Sequence, residues 1–351
     1  IGLVVDGIHE PGREIGGVIV AKVLAVTDHP DADKLTLVDV DNGAGEVRVV
    51  CGARNLKAGD VVPYAPPGAT LPGGMKLERR KIRGQVSEGM LCSERELGLG
   101  EDHGGIMHLP VSTPLGVEAR VVLGLDDVIF DLEITPNRPD AMSIVGVARD
   151  LAAACKVPIS VPEPTVANDG RDIRELASLV VEAPDRCPRY IGRVAGVTIG
   201  PSPDWMARRL TLAGMRPISN VVYVTNYVLL ERGQPLHAFD LDLLGNRGIL
   251  VRLARSGERM STLDGVERKL IDEDLLICDA AGAPQAIAGI MGGGSSEVSQ
   301  TTTSVLLESA YFAPTGILRS SKRLGLRTES SARFERGVDP NGVAIAADRA
   351  C

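Results

Sequence analysis

Val18-Ile19-Val20-Ala21-Lys22-Val23 and Glu46-Val47-Arg48-Val49-Val50-Cys51 each send alternate side chains to opposite faces. A period of two over such runs is the pattern of a half-buried strand. Asp41-Asn42-Gly43 lies between two of these runs, with the residues of a tight hairpin turn. Further out, Pro66-Pro67-Gly68 and Pro72-Gly73-Gly74 punctuate more short strands. About five short strands linked by turns over residues 16–124 predict a small closed β-barrel. An OB-fold is the leading form, with a β-sandwich as the alternative.

Beyond that region, residues 130–134 read as a strand and 135–139 as a loop. Asp140 is placed to cap a helix that carries Ile144, Val147, Ala148 and Leu151 on one face. Pro158, Pro162, Pro164 and Asn168-Asp169-Gly170 mark a linker. From about Ala177 the pattern mixes α and β, with helices predicted over 205–213 and 218–230 and strand-like runs within 267–278. The fold class is therefore α+β and multidomain.

Composition limits what such a chain can do. Its 351 residues are 44% hydrophobic and 24% charged, which suits a globular chain of two to three domains at roughly 150 residues each. A disordered or collagen-like chain is excluded. No apolar run approaches the 18 or so residues of a membrane helix, and no secretory leader opens the sequence. With 38 basic and 46 acidic residues the net charge is −8, so a polyanion needs a local basic patch. Aromatics at 3% argue against an extended base-stacking platform. Cys51, Cys92, Cys155, Cys187, Cys278 and Cys351 form no C-x-x-C and no zinc-type spacing with histidine. They read as reduced, mostly buried side chains of a cytoplasmic protein with no metal site. The start at Ile1 and the unfinished helical pattern of 343–351 predict a piece of a longer protein.

Several features carry possible chemistry. The densest basic run, Lys76, Arg79, Arg80, Lys81 and Arg83, is opposed only by Glu78. On a barrel it suits a phosphate backbone; otherwise it is a solvated strand and turn. Arg319, Lys322, Arg323, Arg327, Arg333 and Arg336 interleave Glu329, Glu335 and Asp339, and suit either a polyanion or a salt-bridged helix. The glycine-rich loop 289–296 either turns tightly or lets backbone come close to a ligand. It is neither a P-loop nor a dinucleotide fingerprint. His237 is the only histidine in its half of the chain, a structural residue or a catalyst. Glu308 follows Val305-Leu306-Leu307, and a buried carboxylate costs several kcal/mol unless partnered. It is a structural acceptor or a group that reads a ligand. His9, His29, His103 and His108 lack metal-ligand spacing, and no G-x-S-x-G elbow is present.

Taken together, these strings resemble the β subunits of bacterial phenylalanine–tRNA ligases. The barrel carries Asp33-Lys34-Leu35, Cys51-Gly52-Ala53-Arg54-Asn55, Lys81-Ile82-Arg83-Gly84 and Ser87-Glu88-Gly89-Met90-Leu91-Cys92-Ser93, shared with the wider set of tRNA-binding OB domains. The resemblance narrows to the ligase at Ile134-Thr135-Pro136-Asn137-Arg138-Pro139-Asp140 and Gly233-Gln234-Pro235-Leu236-His237-Ala238-Phe239-Asp240. It continues at Ile287-Ala288-Gly289-Ile290-Met291-Gly292-Gly293 and Thr328-Glu329-Ser330-Ser331-Ala332-Arg333-Phe334. It covers essentially the whole chain.

The resemblance implies a small α/β domain split between residues 1–13 and 126–165, an OB domain inserted at 14–125, and an editing domain at 166–351. The editing domain would hydrolyse tyrosine wrongly esterified to tRNA for phenylalanine. Glu308, with backbone at Ala288 and Gly289, matches the position that reads the tyrosine hydroxyl. Thr225, Asn226 and His237 match positions that line the pocket and orient the ester, and Thr328 and Ser330 match the wall beside the terminal adenosine. Ser330 departs from members that carry alanine there. The attacking group would be a positioned water, helped by a ribose hydroxyl, with His237 one option as general base. Implied partners are tRNA(Phe) and the α subunit, in a heterotetramer of two α and two β chains. ATP and magnesium would serve the whole enzyme through residues outside this chain. The alternative is a tRNA-binding and scaffolding segment whose editing site is weak or inactive.

Overall fold

The computed structural model describes residues 1–100, 104–215 and 218–351. The chain divides into two compact units: Val5–Asp131, and Leu132–Cys351 together with Ile1–Val4. His103 lies outside the described residues.

In the first unit, β1 (Val4–His9) pairs with β11 (Ile129–Glu133), and α1 (Ala119–Val122) is a single turn. The main sheet holds β2 (Ile19–Asp28), β3 (Thr36–Asp41), β4 (Glu46–Cys51), β5 (Val61–Ala65) and β10 (Met90–Leu91), in the antiparallel order β10-β5-β2-β3-β4. A bulge lies in β2 between Val23 and Ala25, where an unpaired residue bends the strand. Two small hairpins follow: β6 (Thr70–Leu71) with β7 (Met75–Lys76), and β8 (Arg80–Ile82) with β9 (Gln85–Ser87).

The backbone N–H of Glu88 donates to Arg48 O at 2.9 Å, and that of Val50 donates to Ser87 Oγ at 3.0 Å. These bonds bring the β9–β10 segment onto the free edge of β4, so the sheet curls into a half-barrel. Val23, Val38, Val40, Val49, Tyr64 and Leu91 fill its inside. Alternation along β4 stops at Val50 and Cys51, both buried, because β9 covers what would otherwise be the wet face. The β3–β4 turn takes four residues, 42–45. Asp41 Oδ1 accepts from Gly43 N, and Asn42 Oδ1 accepts from Ala44 N and Gly45 N.

The second unit opens with α2 (Ile144–Cys155). Its cap is Ser143, whose Oγ accepts from Gly146 N at 3.0 Å, and not the Asp140 expected from sequence. Asp140 is instead held by Arg138 through bonds of 3.0 and 2.7 Å. The apolar face also differs: Ile144 and Leu151 are exposed, whereas the small Gly146 and Ala152 are buried.

A five-stranded sheet runs in the order β12 (Ser178–Val181), β15 (Gly248–Leu253), β18 (Leu275–Asp279), β19 (Pro284–Ile287), β20 (Met291–Gly292). Only the β12–β15 pair is parallel. A three-stranded antiparallel sheet has β21 (Ser304–Tyr311) at its centre, between β13 (Arg189–Gly196) and β14 (Leu236–Asp240). The pair β16 (Arg259–Ser261) and β17 (Glu267–Lys269) forms a separate hairpin. Phe239, Ile249, Val251, Leu276, Ile287, Leu306 and Phe312 make one core between the sheets.

Helices α3 (Asp204–Leu212) and α4 (Asn220–Arg232) lie within about two residues of their expected spans. Helices α5 (Pro314–Leu324), α6 (Glu329–Phe334) and α7 (Gly342–Ala350) follow β21. Helix α4 packs on β14 and α7 on β21, where Ser309 Oγ donates to Val343 O at 2.8 Å. Cys51, Cys92, Cys187 and Cys278 are buried, Cys155 and Cys351 are exposed, and none is bridged. Among the described residues no helix is long and apolar enough to cross a membrane.

Candidate active site

Strand β21 places Glu308 in register with Gly192 of β13 on one side and His237 of β14 on the other. Partners in register point to the same face of a sheet. That face also carries Leu306 and Phe239, and so looks into the core. Tyr190 lies two residues from Gly192 and shares the face. Its hydroxyl donates to Glu308 Oε2 at 2.7 Å.

A cavity of about 60 Å³ opens here, walled by Glu308, His237, Pro235 and Leu236, by Ala286, Ile287 and the loop residues Gly289–Gly292, and by Ser330 and Phe334. Most of these lining residues are apolar or glycine, and Glu308, His237 and Ser330 bring polar side chains among them. Glu308 is 7% exposed, and burial pushes its carboxyl up from 4.5 to about 7, while the Tyr190 bond pulls the other way. Burial also drives the Tyr190 phenol well above its ordinary range, reinforced by the charge of Glu308. His237 falls from 6.5 to about 4 because burial disfavours the imidazolium. Its ring meets Phe239 edge-on at 4.4 Å.

The glycine-rich loop has geometric reasons for its composition. Gly289 sits at φ +66°, and a Cβ there would stand 2.8 Å from Phe334 Cδ2 and 3.0 Å from Phe312 Cδ2. A Cβ on Gly292 would stand 2.8 Å from His237 Cε1. Thr328 fixes the far wall: its hydroxyl donates to Ile290 O at 3.0 Å and accepts from Ser331 N as the cap of α6.

Of the residues singled out from sequence, His237, Glu308, Gly289 and Ser330 line one cavity. Ala288 is fully buried and faces a second cavity of about 10 Å³ beside Ile317 and Ser320. Thr328 stands behind the wall. Thr225 and Asn226 belong to α4 and do not line the cavity; the Thr225 hydroxyl donates to Val222 O at 2.8 Å. Tyr190 was not anticipated. Among the described residues its one side-chain hydrogen bond goes to a partner 118 residues away in sequence, and the local signal is an aromatic residue in a strand.

The five basic residues of the first unit, Lys76, Arg79, Arg80, Lys81 and Arg83, are all exposed. The β8–β9 hairpin turns through Arg83 (φ 47°) and Gly84 (φ 88°), the two left-handed positions of a type I′ turn. Of the five, only Arg79 has an ion pair among the described residues, with Glu88 at 2.8 Å. The second basic run is largely occupied. Arg319 pairs with Glu273, Arg323 with Asp274, Arg327 with Glu335 and Arg333 with Glu329, and Arg333 is buried. Among the described residues Lys322 and Arg336 have no ion pair, and Arg319 and Arg327 reach theirs only at 3.9 Å, so the run is salt-bridged in part.

A family model described as a tRNA binding domain matches residues 18–118, and one described as a B3/4 domain matches residues 186–351. The first of these models covers most of the half-barrel, and the cavity lies inside the B3/4 segment. The phenylalanine–tRNA ligase β subunit of Syntrophus aciditrophicus (strain SB) is 51% identical over 350 residues, covering 99% of this chain and 43% of that one. The β subunit from Geobacter metallireducens (strain ATCC 53774 / DSM 7210 / GS-15) is 53% identical over 351 residues, 100% of this chain and 44% of that one. The chain belongs to the phenylalanine–tRNA ligase β-subunit family, and it spans less than half the length of these curated relatives. A crystal structure of an N-terminal fragment of the phenylalanyl-tRNA synthetase β subunit from Pyrococcus horikoshii is similar over 57% of this chain and 62% of that one, with 17% identity and a TM-score of 0.31. So distant a likeness adds nothing to the sequence relatives.

Proposed function

We propose that the B3/4 segment is an editing esterase, which hydrolyses tyrosine from tRNA(Phe) that has been wrongly charged with it. The observation that carries this reading is Glu308, a buried carboxylate with no cation against it among the described residues, in a cavity whose lining residues are largely apolar or glycine. Phenylalanine and tyrosine differ by one hydroxyl. An acceptor set in an apolar wall is satisfied by tyrosine and left unpaired by phenylalanine, and such sites discriminate by about four to five orders of magnitude. In the reaction, a water oxygen attacks the ester carbonyl. The bond to the ribose oxygen breaks, and that oxygen takes up the proton the water loses.

At about 4, His237 is a weak base for that proton at neutral pH. Its neutral ring serves instead as a hydrogen-bonding partner that positions the water or the ester, so that orientation supplies much of the rate. Thr225 and Asn226 act through α4, which supports the strand bearing His237. Backbone at Ala288 and Gly289 joins Glu308 in reading the tyrosine hydroxyl, and Ser330, with Thr328 behind it, forms the wall next to the terminal adenosine.

The half-barrel is proposed as an OB domain at 14–125 that receives tRNA on the basic β8–β9 hairpin. The small α/β domain would be split between 1–13 and 126–165, with the editing domain at 166–351. In the complete enzyme this chain would join α subunits, two of each, in the cytoplasm. ATP and magnesium belong to aminoacyl transfer in that assembly. Among the described residues no cluster of three His, Cys, Asp or Glu converges as a metal site, and no step here runs through either group. The test is deacylation of tyrosyl-tRNA(Phe) by wild type, Glu308→Ala and His237→Ala. Wild type should exceed the uncatalysed rate and both variants should fall toward it. If all three match the uncatalysed rate while tRNA binding persists, the editing reading fails.

A further inference from the structure

We propose that Tyr190 is a positioning residue that sets the specificity of this site by fixing the direction of the Glu308 carboxylate; this rests on the reading that Glu308 accepts a hydrogen bond from a phenolic ligand. Three observations support it. Tyr190 Oη lies 2.7 Å from Glu308 Oε2, a charge-assisted bond of the stronger class. Among the described residues it is the only side-chain donor to Glu308, and no salt bridge reaches that carboxylate. Glu308 lines the cavity and Tyr190 does not, so the phenol grips the carboxylate from outside the cavity wall.

The register explains how this is possible. Gly192 occupies the position directly across from Glu308. A side chain there would share the face over which Tyr190 reaches. The diagonal from Tyr190 to Glu308 passes beside that position, and a Cβ at Gly192 would touch only Leu306, with Cδ2 nearest at 3.7 Å. With Oε2 engaged by Tyr190, Oε1 is the oxygen left to accept from a ligand. Two phenols would then share one carboxylate, one supplied by the protein and one by the tyrosyl ester. A phenylalanyl ester offers no donor, so its handling does not depend on Tyr190.

The experiment compares wild type, Tyr190→Phe, Glu308→Gln and the double variant in the complete enzyme. Deacylation of tyrosyl- and phenylalanyl-tRNA(Phe) is followed from pH 5.5 to 8.5. Aminoacylation at the wild-type rate verifies that each variant is folded. Tyr190→Phe should raise KM for the tyrosyl ester about tenfold, with kcat changed much less and the phenylalanyl ester unaffected. It should also move the limb due to Glu308 to higher pH, because the bond that opposes the effect of burial is gone. The double variant should equal Glu308→Gln. The proposal is overturned if Tyr190→Phe matches wild type in KM and pH profile, or if it causes the same loss when added to Glu308→Gln, which marks a merely structural role. Wild type that fails to edit at all sinks the editing reading and this inference with it, an outcome distinct from the other two.

Discussion

His237 and Glu308 stand side by side on adjacent strands, in register and facing the same cavity, yet no ion pair joins them. Burial moves both toward neutrality, Glu308 up to about 7 and His237 down to about 4. Desolvation outweighs whatever mutual attraction two opposite charges would gain there. At pH 7 the site therefore holds a neutral imidazole beside a carboxyl near its midpoint, a polar pair suited to hydrogen bonding in an apolar setting.

Glu308→Gln should separate stability from activity. Its folded pKa lies above the unfolded value of 4.5, so its contribution to stability is fully present below pH 4.5 and lost as pH rises through about 7. Above pH 7 the buried charge costs on the order of 3 kcal/mol. The variant should thus match wild type near pH 4.5 in urea unfolding and be more stable at pH 8, while losing discrimination against the phenylalanyl ester. Equal stability differences at the two pH values would contradict the burial of this carboxylate.

Discrimination itself should depend on pH. Protonation turns one Glu308 oxygen into a donor, so preference for the tyrosyl ester should weaken as pH falls through about 7. No limb that depends on His237 should appear near its ordinary value of 6.5, since its ring stays neutral down to about 4, so the profile of Glu308→Gln should be flat there. A rate–pH profile of wild type and Glu308→Gln tests both points; a limb near 6.5 that vanishes in His237→Ala would overturn the second.

Gly289→Ala should damage the cavity through the fold. It combines the left-handed φ of +66° with a Cβ 2.8 Å from Phe334, and strain plus overpacking costs about 2–4 kcal/mol. Thermal unfolding should show a clear drop in Tm. An unchanged Tm would mean that the aromatic pair Phe312–Phe334, 4.9 Å apart, yields without cost.

The basic hairpin should read a phosphate backbone. Replacing Arg80 and Lys81 of the hairpin, together with Lys76 of the neighbouring β7, by alanine should reduce the salt dependence of tRNA binding, by a slope of about 2–3 if each meets one phosphate. Arg79→Ala should matter less, because Glu88 already holds that guanidinium. An unchanged slope in the triple variant would leave the hairpin a solvated face.

What was legible in the sequence follows from the range of each interaction. Strand β4 was readable in its span and from Glu46 to Val49, where the alternation is local, but not at Val50, which the distant β9 covers. The span of α4 is fixed by the cap at Ser219 and by Gly233 in the left-handed region. The glycine-rich loop was visible as composition, but the ring atoms that demand it belong to Phe312 and Phe334. Tyr190 was invisible for the same reason: its importance lies in a register between two distant strands. The apolar residues of α2 misled, because small residues make the buried contact there and Ile144 and Leu151 remain exposed. Charge was deceptive as well, since Arg323 and Arg333 of the longer basic run are held in close ion pairs, whereas four of the five residues in the shorter run have none among the described residues.

The central claim is that Glu308 lets the cavity tell a tyrosyl ester from a phenylalanyl ester. The most direct measurement is the ratio of the deacylation rates of tyrosyl- and phenylalanyl-tRNA(Phe), in wild type and in Glu308→Ala. In wild type the ratio should lie far above one, and in the variant it should collapse toward one. A wild-type ratio near one, or a high ratio that survives the loss of Glu308, would contradict it.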